Sequence, residues 1–114
     1  MKRGGELSRY KRLSPRSKKR EQEAAARRVV VLAALARDRR SCRAVSVVFE
    51  VSCRGPLDVH EIIPRSAWPG GYLVLDNTVT LCRTHHDWVG EHPAEAHGYG
   101  LHGFSWERPT PGAQ

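Results

Sequence analysis

Three cysteines and one histidine, Cys42, Cys53, Cys82 and His85, constrain this chain more than any other feature of its sequence. Three thiols cannot all pair as disulfides, and no convincing secretion signal is present, so metal-bound thiolates are favoured over disulfide bonds. Cys82 and His85 are three residues apart at a predicted helix start, so they face the same way and form half of a zinc site. Cys42 and Cys53 can supply the other half of a closed, structural zinc site. The alternative is three unrelated buried thiols.

The length of 114 residues allows one small domain, and a hydrophobic content of 39% gives it a thin core. A zinc ion that joins the middle of the chain to a later helix would supply stability that such a core lacks. The net charge of +7 favours polyanionic partners, nucleic acid first, over a basic tail that only confers solubility. No stretch approaches the roughly 20 apolar residues of a membrane span, so we expect a cytoplasmic protein without membrane contact.

The N-terminal third predicts a basic arm followed by a helix. Residues 1–14 are rich in lysine and arginine and lack apolar periodicity, which is typical of a flexible arm. Ser14 and Pro15 resemble an N-cap and a first-turn proline, so a long helix is predicted over residues 15–40. Its apolar residues recur at helical spacing and predict a stripe that packs on the core or forms a dimer seam: Ala25, Val29, Leu32 and Ala36.

The remainder predicts an α+β domain over residues 41–102. Residues 41–54 are rich in β-branched types and predict a short strand or hairpin, with Cys42 and Cys53 at its ends. Further elements are predicted from periodicity and from Gly and Pro: strands at 57–63 and 78–81, a helix over 83–92, and a loose tail over 103–114.

A second group of polar residues lies in the same part of the chain: the pair His60-Glu61, then Asn77, then His86. Neighbours on a helix point about 100° apart, so His85 can serve the zinc while His86 faces the preceding strands. His60 lies in a predicted strand that this helix can cross, which would bring two imidazoles together. Two imidazoles with open positions form a catalytic type of metal site rather than a closed one.

The order and spacing of these residues resemble the HNH endonucleases, the ββα-metal nucleases, and in particular small phage-type members with a zinc-binding frame. The resemblance covers about residues 41–101 and is carried by Val59 to Ser66, Gly70-Gly71, Asn77, Leu81-Cys82 and His85-His86. It implies an α+β fold with a small ββα-metal core and a zinc-stapled frame, preceded by the long helix. It also implies metal-dependent hydrolysis of phosphodiester bonds in DNA, and a role beside phage terminase or other packaging proteins.

The resemblance further implies roles for single residues. His60 and His86 would bind a catalytic divalent ion such as Mg²⁺, Mn²⁺, Ni²⁺ or Zn²⁺, in addition to the one structural Zn²⁺. Asn77 would position the loop that bears the general base. Two positions depart from the family pattern: the base position, usually a histidine, is Glu61, and a position that often adds a ligand is Gly90.

Alternatives remain open for the ligand shell and for the base. His92, Glu91 or water could complete the shell around the divalent ion. In a regular strand Asp58 and His60 share one face while Glu61 points away. Asp58 could then be the ligand and His60 the base that activates water.

Basic side chains outside the motif are candidates for DNA contact. Guanidinium groups pair bidentately with phosphate, so Arg65 and Arg83 are predicted to clamp the substrate unless they are ordinary surface arginines. Lys18, Lys19 and Arg20 would add salt-dependent phosphate contacts. Two other functions fit the sequence: a zinc-stabilised DNA-binding module that has lost catalysis, which the two departures favour, and a zinc-framed protein-interaction domain. We expect a monomer or a weak dimer.

Overall fold

The computed structural model describes the backbone of residues 2–109 and the side chains from residue 18 to 109. Five regular elements follow along the chain: α1 (Lys2–Arg37), β1 (Leu57–Glu61), β2 (Thr78–Cys82), α2 (Arg83–Glu91) and α3 (Pro93–Gly98). Short 3-10 helices lie at Pro69–Leu73, Leu75–Asn77 and Ser105–Glu107. The predicted α+β class is confirmed, and the described part of the chain contains a two-stranded antiparallel sheet and three α-helices.

Helix α1 extends further towards the N-terminus than predicted, because it includes residues before the expected start at residue 15. The basic arm predicted at residues 1–14 lies outside the described side chains. The helix ends at Arg37, close to the predicted end. Arg39 and Arg40 then adopt left-handed φ angles of 55° and 49°, which take the chain out of the helix.

The apolar stripe predicted to pack on the core faces solvent instead. Its members, Ala25, Val29, Leu32 and Ala36, are all exposed. The buried side of α1 is rotated away from this stripe and carries Ala34 and the half-buried Arg27. The packing prediction is therefore wrong, because polar contacts to the sheet, rather than apolar spacing, select the inner face. Self-association along the exposed stripe stays a prediction.

A buried carboxylate attaches the end of α1 to the sheet. Asp38 is buried and accepts hydrogen bonds of 2.9 and 2.8 Å from Arg37 and of 3.0 Å from the backbone N–H of Thr80. Burial alone would raise the pKa of Asp38, but the hydrogen bonds from Arg37 and Thr80 outweigh burial and lower the pKa. Arg37 also donates to the carbonyl oxygen of Thr78 at 2.7 Å. No sequence pattern predicted this link.

Residues 41–54 do not form the predicted strand or hairpin. All of them are described, and they run as turns and irregular loop. Val48 points into the core, while Val45 and Phe49 are exposed. The β-branched composition favours a strand, but the chain here curls so that Cys42 and Cys53 both reach the end of β2, which leaves no straight segment to pair.

The two strands present different faces to the two main helices. β1 and β2 pair antiparallel, with His60 opposite Val79 and Glu61 opposite Thr78. Because side chains alternate along a strand, Asp58 and His60 lie on the same face of the sheet, which contacts α2. Glu61 lies on the opposite face, which contacts α1. The strands predicted at 57–63 and 78–81 and the helix predicted at 83–92 are confirmed, with ends shifted by one or two residues.

The core lies between the sheet, α2, α3 and the loop after α1. Its buried members are Cys42, Ala44, Val48, Leu81, Cys82, Trp88, Val89, Ala96 and Leu101. Two of these are cysteines of the predicted zinc group, so the core and that group form one unit. Among the described helices, none is long and apolar enough to cross a membrane.

Candidate metal centre and histidine cluster

The four predicted zinc ligands converge at the junction of β2 and α2. The ligand atoms of Cys42, Cys53, Cys82 and His85 all lie within 4.8 Å of one another. The Nδ1 atom of His85 lies 3.4, 3.5 and 3.1 Å from the three sulfur atoms. Tetrahedral zinc, with Zn–S near 2.3 Å and Zn–N near 2.0 Å, requires S···N separations of about 3.5 Å. The prediction that these four residues can hold a metal ion is confirmed.

The protonation of His85 suits metal binding. Its side chain is buried, and its Nε2 atom lies 3.1 Å from the carbonyl oxygen of Val48. A carbonyl oxygen can only accept, so Nε2 carries the hydrogen and Nδ1 turns its lone pair towards the sulfurs. A backbone carbonyl therefore fixes both the tautomer and the ring orientation that a bound ion requires.

Two of the thiols, Cys82 and Cys53, differ in how readily they ionise. Burial, the largest influence on Cys82, would raise its pKa, but hydrogen bonds from the Thr84 hydroxyl and the backbone N–H of His85 outweigh burial and lower the pKa to about 6. Burial, followed by hydrogen bonding to Cys82 and Cys42, raises the pKa of Cys53 to about 12. Negative charge thus gathers at Cys82 before Cys53, and ionising the Cys53 thiol requires a compensating cation.

His60 and His86 meet on the other side of α2's first turn, on the face of the sheet that contacts that helix. Their ring centroids lie 5.0 Å apart in an edge-to-face arrangement. The Nε2 atom of His60 lies 3.0 Å from the carbonyl oxygen of Leu101, so Nε2 carries the hydrogen and Nδ1 keeps the lone pair. Burial, and then the nearby His86, lowers the pKa of His60 to about 4. The imidazole is therefore neutral at pH 7.

Asp58 adds a carboxylate to this cluster. Its Oδ2 atom and the Nδ1 atom of His86 are both buried, and neither has a hydrogen-bond partner among the described residues. Arg83 lies 3.1 Å from the same Oδ2 as an ion pair. A buried polar atom without a hydrogen bond costs roughly 1–3 kcal/mol, so it often marks the place of a bound ion or water. In the described part of the chain, only the Cys/His group brings three or more ligand atoms together, so an ion at Asp58 and His86 would also need water ligands.

Glu61 does not join this cluster. Its carboxylate accepts a 3.1 Å hydrogen bond from Arg65 and lies 3.5 Å from Arg27 of helix α1. Arg27 also donates to the carbonyl oxygens of Tyr72 at 2.5 Å and Val59 at 3.0 Å. Glu61 therefore links the end of β1 to α1 and to the following loop. No sequence pattern indicated this role of Arg27, because one arginine among many on a basic helix belongs to no motif.

Asn77 fixes the loop that follows His60 and Glu61. Its Oδ1 atom accepts a 2.9 Å hydrogen bond from the N–H of Ile63, and its Nδ2 atom donates to the carbonyl oxygens of Ile63 at 3.1 Å and Gly71 at 3.2 Å. A Cβ atom on Gly71 would lie 2.7 Å from that Nδ2, so only glycine allows this close approach. The arrangement agrees with the loop-positioning role that the resemblance implies for Asn77.

The region after His86 offers few further ligands. The ring of His92 stacks on Trp88 with centroids 4.9 Å apart, and its Nδ1 lies 3.1 Å from the Trp88 carbonyl oxygen. These contacts hold His92 at the C-terminal end of α2. At Gly90, an added Cβ would meet no described atom within 4 Å, so the missing ligand is not explained by lack of space.

The predicted DNA-contacting residues fall into two places. Arg65 stacks over the ring of Tyr72 at 4.2 Å and lines a groove of 250 Å³ beside α1, together with Arg20, Glu23, Ala24 and Arg27. Lys18 and Lys19 are exposed on the same helix. Arg83 lies apart from this groove and pairs with Asp58. Two of the three arginines along this groove, Arg27 and Arg65, also pair with Glu61, so contact of these residues with phosphate stays a prediction.

Comparisons with known proteins found no match to this chain among protein-family models, curated proteins or solved structures. The chemistry of the site must therefore be judged from its own residues. They provide a closed Cys/His centre on one side of α2 and an open Asp/His cluster on the other.

Proposed function

We propose that this protein is a metal-dependent DNA endonuclease of the HNH type, which hydrolyses phosphodiester bonds from a zinc-stapled frame. The observation that carries the proposal is the cluster of Asp58, His60 and His86, in which the His60 imidazole is neutral and two buried ligand atoms have no hydrogen bond among the described residues. Asp58 and His60 lie on β1 and His86 lies on α2, and the order β1, β2, α2 is the order of elements that the resemblance implies.

Zinc at the Cys/His centre would be structural. Its four ligands leave no open position for substrate, and three of them contribute to or border the small core. Cys42 and Cys53 would tie the irregular loop to the β2–α2 junction. The ion would thus fix α2, and with it the side chain of His86, relative to the sheet.

The open cluster would carry out the reaction. A divalent cation bound there would polarise the scissile phosphate and stabilise the leaving oxygen. Asp58 Oδ2 and His86 Nδ1 offer ligand atoms without hydrogen bonds, and Arg83 would have to release its ion pair with Asp58 when the cation binds. His60 would accept the proton of the attacking water at Nδ1, because the Leu101 carbonyl oxygen occupies its Nε2 side.

The low pKa of His60 has two consequences for this role. It keeps the imidazole neutral at pH 7, so the lone pair is available, but it also makes the ring a weak base. A phosphodiester carries a negative charge that would raise the pKa of His60, whereas a divalent cation at Asp58 and His86 would lower it. A neutral imidazole with a free Nδ1 lone pair is the form that the proposed role requires.

We assign the role of general base to His60 rather than to Glu61. Both oxygen atoms of Glu61 face arginines, and the side chain lies on the sheet face opposite His60 and His86. For Glu61 to act on water beside His86, two ion pairs would have to break and the strand would have to turn over. His60 already lies 5.0 Å, centroid to centroid, from the His86 ring.

The experiment is cleavage of supercoiled plasmid by purified protein with Mg²⁺, Mn²⁺, Ni²⁺, Co²⁺ or Zn²⁺ added in turn. We expect nicked or linear products with at least one ion, and none after the weakly bound ion is removed by mild chelation that spares the Cys/His centre. Re-adding the ion should restore cleavage. Absence of cleavage with all five ions would contradict the proposal.

A second function is supported by one observation. The ion pairs of Glu61 and of Asp58 with arginines would suit a zinc-stabilised DNA-binding module that has lost catalysis. Such a protein would bind DNA with a strong salt dependence, yet would leave the plasmid intact with every ion. Association with phage packaging proteins stays a prediction.

A further inference from the structure

Two aromatic rings near the C-terminal end of the described chain stack on each other in solvent. The rings of Phe104 and Trp106 lie 4.9 Å apart, centroid to centroid, with an interplanar angle of 16°. Trp106 is 79% exposed, whereas Trp88 is 2% exposed in the core. Trp is highly buried on average, so a side chain this exposed and yet held in a stack calls for an explanation.

The aromatic pair is held in place by the protein rather than lying on a free tail. The carboxylate of Glu107 accepts a 2.7 Å hydrogen bond from the backbone N–H of Phe104 and pairs with His97 at 2.8 Å. The His97 ring also packs against Phe104 at 4.9 Å. The N–H of Gly103 donates to the carbonyl oxygen of Ile62 at 2.9 Å. The rings are therefore ordered before any ligand arrives, which lowers the entropic cost of binding.

The position of the pair relates it to the Asp/His cluster. Leu101, three residues before Phe104, accepts the hydrogen bond of His60. A cleft of 240 Å³ adjoins this segment, with His97, His102 and Glu107 on one wall and Asn77 on the other. The cleft thus borders the loop that begins directly after the strand bearing His60.

We propose that Phe104 and Trp106 form a stacking platform for an unpaired nucleobase, so that DNA with a single-stranded segment at the cleavage site is the preferred substrate. This inference rests on the proposed function and specifies its substrate class. Every base offers a π face, but a base within a duplex already stacks on both sides and cannot reach such a platform.

The surroundings of the platform favour a nucleobase over an apolar protein partner. Two rings offer little apolar area, and the groups around them are polar or charged: His97, His102, Glu107 and Arg108. The two imidazoles suit the polar edge of a base, and the carboxylate of Glu107 is already paired with His97. Arg108 follows Glu107 in the chain and lies over the Trp68 ring, 5.7 Å from its centroid.

The test is binding of a labelled oligo(dT) and of a duplex of equal length, without added divalent ion, followed by anisotropy and by tryptophan fluorescence. We expect oligo(dT) to quench the fluorescence of the wild type. Trp106→Ala should abolish most of the quenching and weaken oligo(dT) binding about 5- to 100-fold, with a much smaller effect on the duplex. Trp106→Phe should keep part of the affinity, since it keeps a ring.

The matched control is Phe49→Ala, which removes an aromatic side chain that is 80% exposed on the loop of the Cys/His centre. It should leave oligo(dT) affinity unchanged. Equal oligo(dT) affinity of the wild type and Trp106→Ala would overturn the platform, as would an equal loss on oligo(dT) and duplex. This test measures binding and is separate from the plasmid cleavage experiment. A wild type that binds oligo(dT) through Trp106 but does not cleave plasmid would therefore support the platform and contradict the proposed endonuclease activity.

Discussion

His60 and Glu61 are neighbours in sequence, yet they serve opposite faces of the sheet. Strand alternation alone predicted this separation, and so it offered Asp58 and His60 as a pair. The resemblance instead suggested Glu61 as the base. A family pattern compares positions along the sequence and does not show on which face of the sheet each side chain lies. What the sequence could not provide was the partner of each group: Arg27 for Glu61 and the Leu101 carbonyl for His60. Both partners come from distant segments that only the folded chain brings near.

Exchange of Glu61 separates the two assignments of the base. Glu61→Gln should change the single-turnover cleavage rate by less than about 3-fold, because the side chain lies away from the reacting groups. It should lower the free energy of unfolding by about 1–2 kcal/mol, since ion pairs with Arg27 and Arg65 are weakened. His60→Gln should instead reduce the rate by about 10²-fold or more.

The measurement is the single-turnover rate at saturating DNA, paired with urea unfolding of each variant. A large rate loss in Glu61→Gln with intact stability would assign the base to Glu61 and reject its structural role. Retained activity in His60→Gln would reject His60 as the base.

At the scale of elements, the sequence predicted the sheet and α2 well but misjudged α1 and the loop before β1. Residues 78–82 are β-prone, and the C-x-x-H spacing of Cys82 and His85 marks the start of a helix. The bounds of β2 and α2 were therefore predictable from local sequence. The apolar residues of α1 occupy more than one side of the helix, and hydrogen bonds from Arg27 and Arg37 decide which side faces the sheet. Periodicity cannot reveal that choice.

The loop of residues 41–54 depends on the Cys/His centre rather than on backbone pairing. Purified protein should therefore carry about one zinc ion per chain, and Cys53→Ser should lower both the zinc content and the melting temperature. The physical reason is that loss of one thiolate weakens the ion that joins the loop to the β2–α2 junction. Zinc content by atomic absorption and thermal unfolding provide the two measurements.

Ser52→Ala is the matched control for this element, because it alters the adjacent side chain of the same loop without touching a ligand. It should leave zinc content and melting temperature near the wild-type values. If the wild type is fully stable without zinc after mild purification, the Cys/His centre is not a structural zinc site.

On the scale of the whole molecule, the sheet separates a groove from the Asp/His cluster. Helix α1 and Arg65 border the groove on one side, while α2 covers the Asp/His cluster on the other. The net charge of +7 favours a polyanionic partner, which stays a prediction, and it did not predict the groove. The groove arises because the loop after β1 returns towards α1, and a one-dimensional charge count contains no such information. A bound DNA strand would have to pass from the groove to the cluster around the edge of the sheet.

The central claim is that the open Asp/His cluster hydrolyses DNA, and its most direct test compares two histidines of the same helical region. Single-turnover cleavage should be measured for the wild type, His86→Ala and His92→Gln, with the most effective ion and equal zinc content. We predict that His86→Ala loses at least about 10²-fold in rate and that added ion restores it only in part, because a ligand has been removed. His92→Gln should cleave like the wild type, since His92 is held against Trp88. Cleavage by His86→Ala at the wild-type rate, in protein free of contaminating nuclease, would contradict the account.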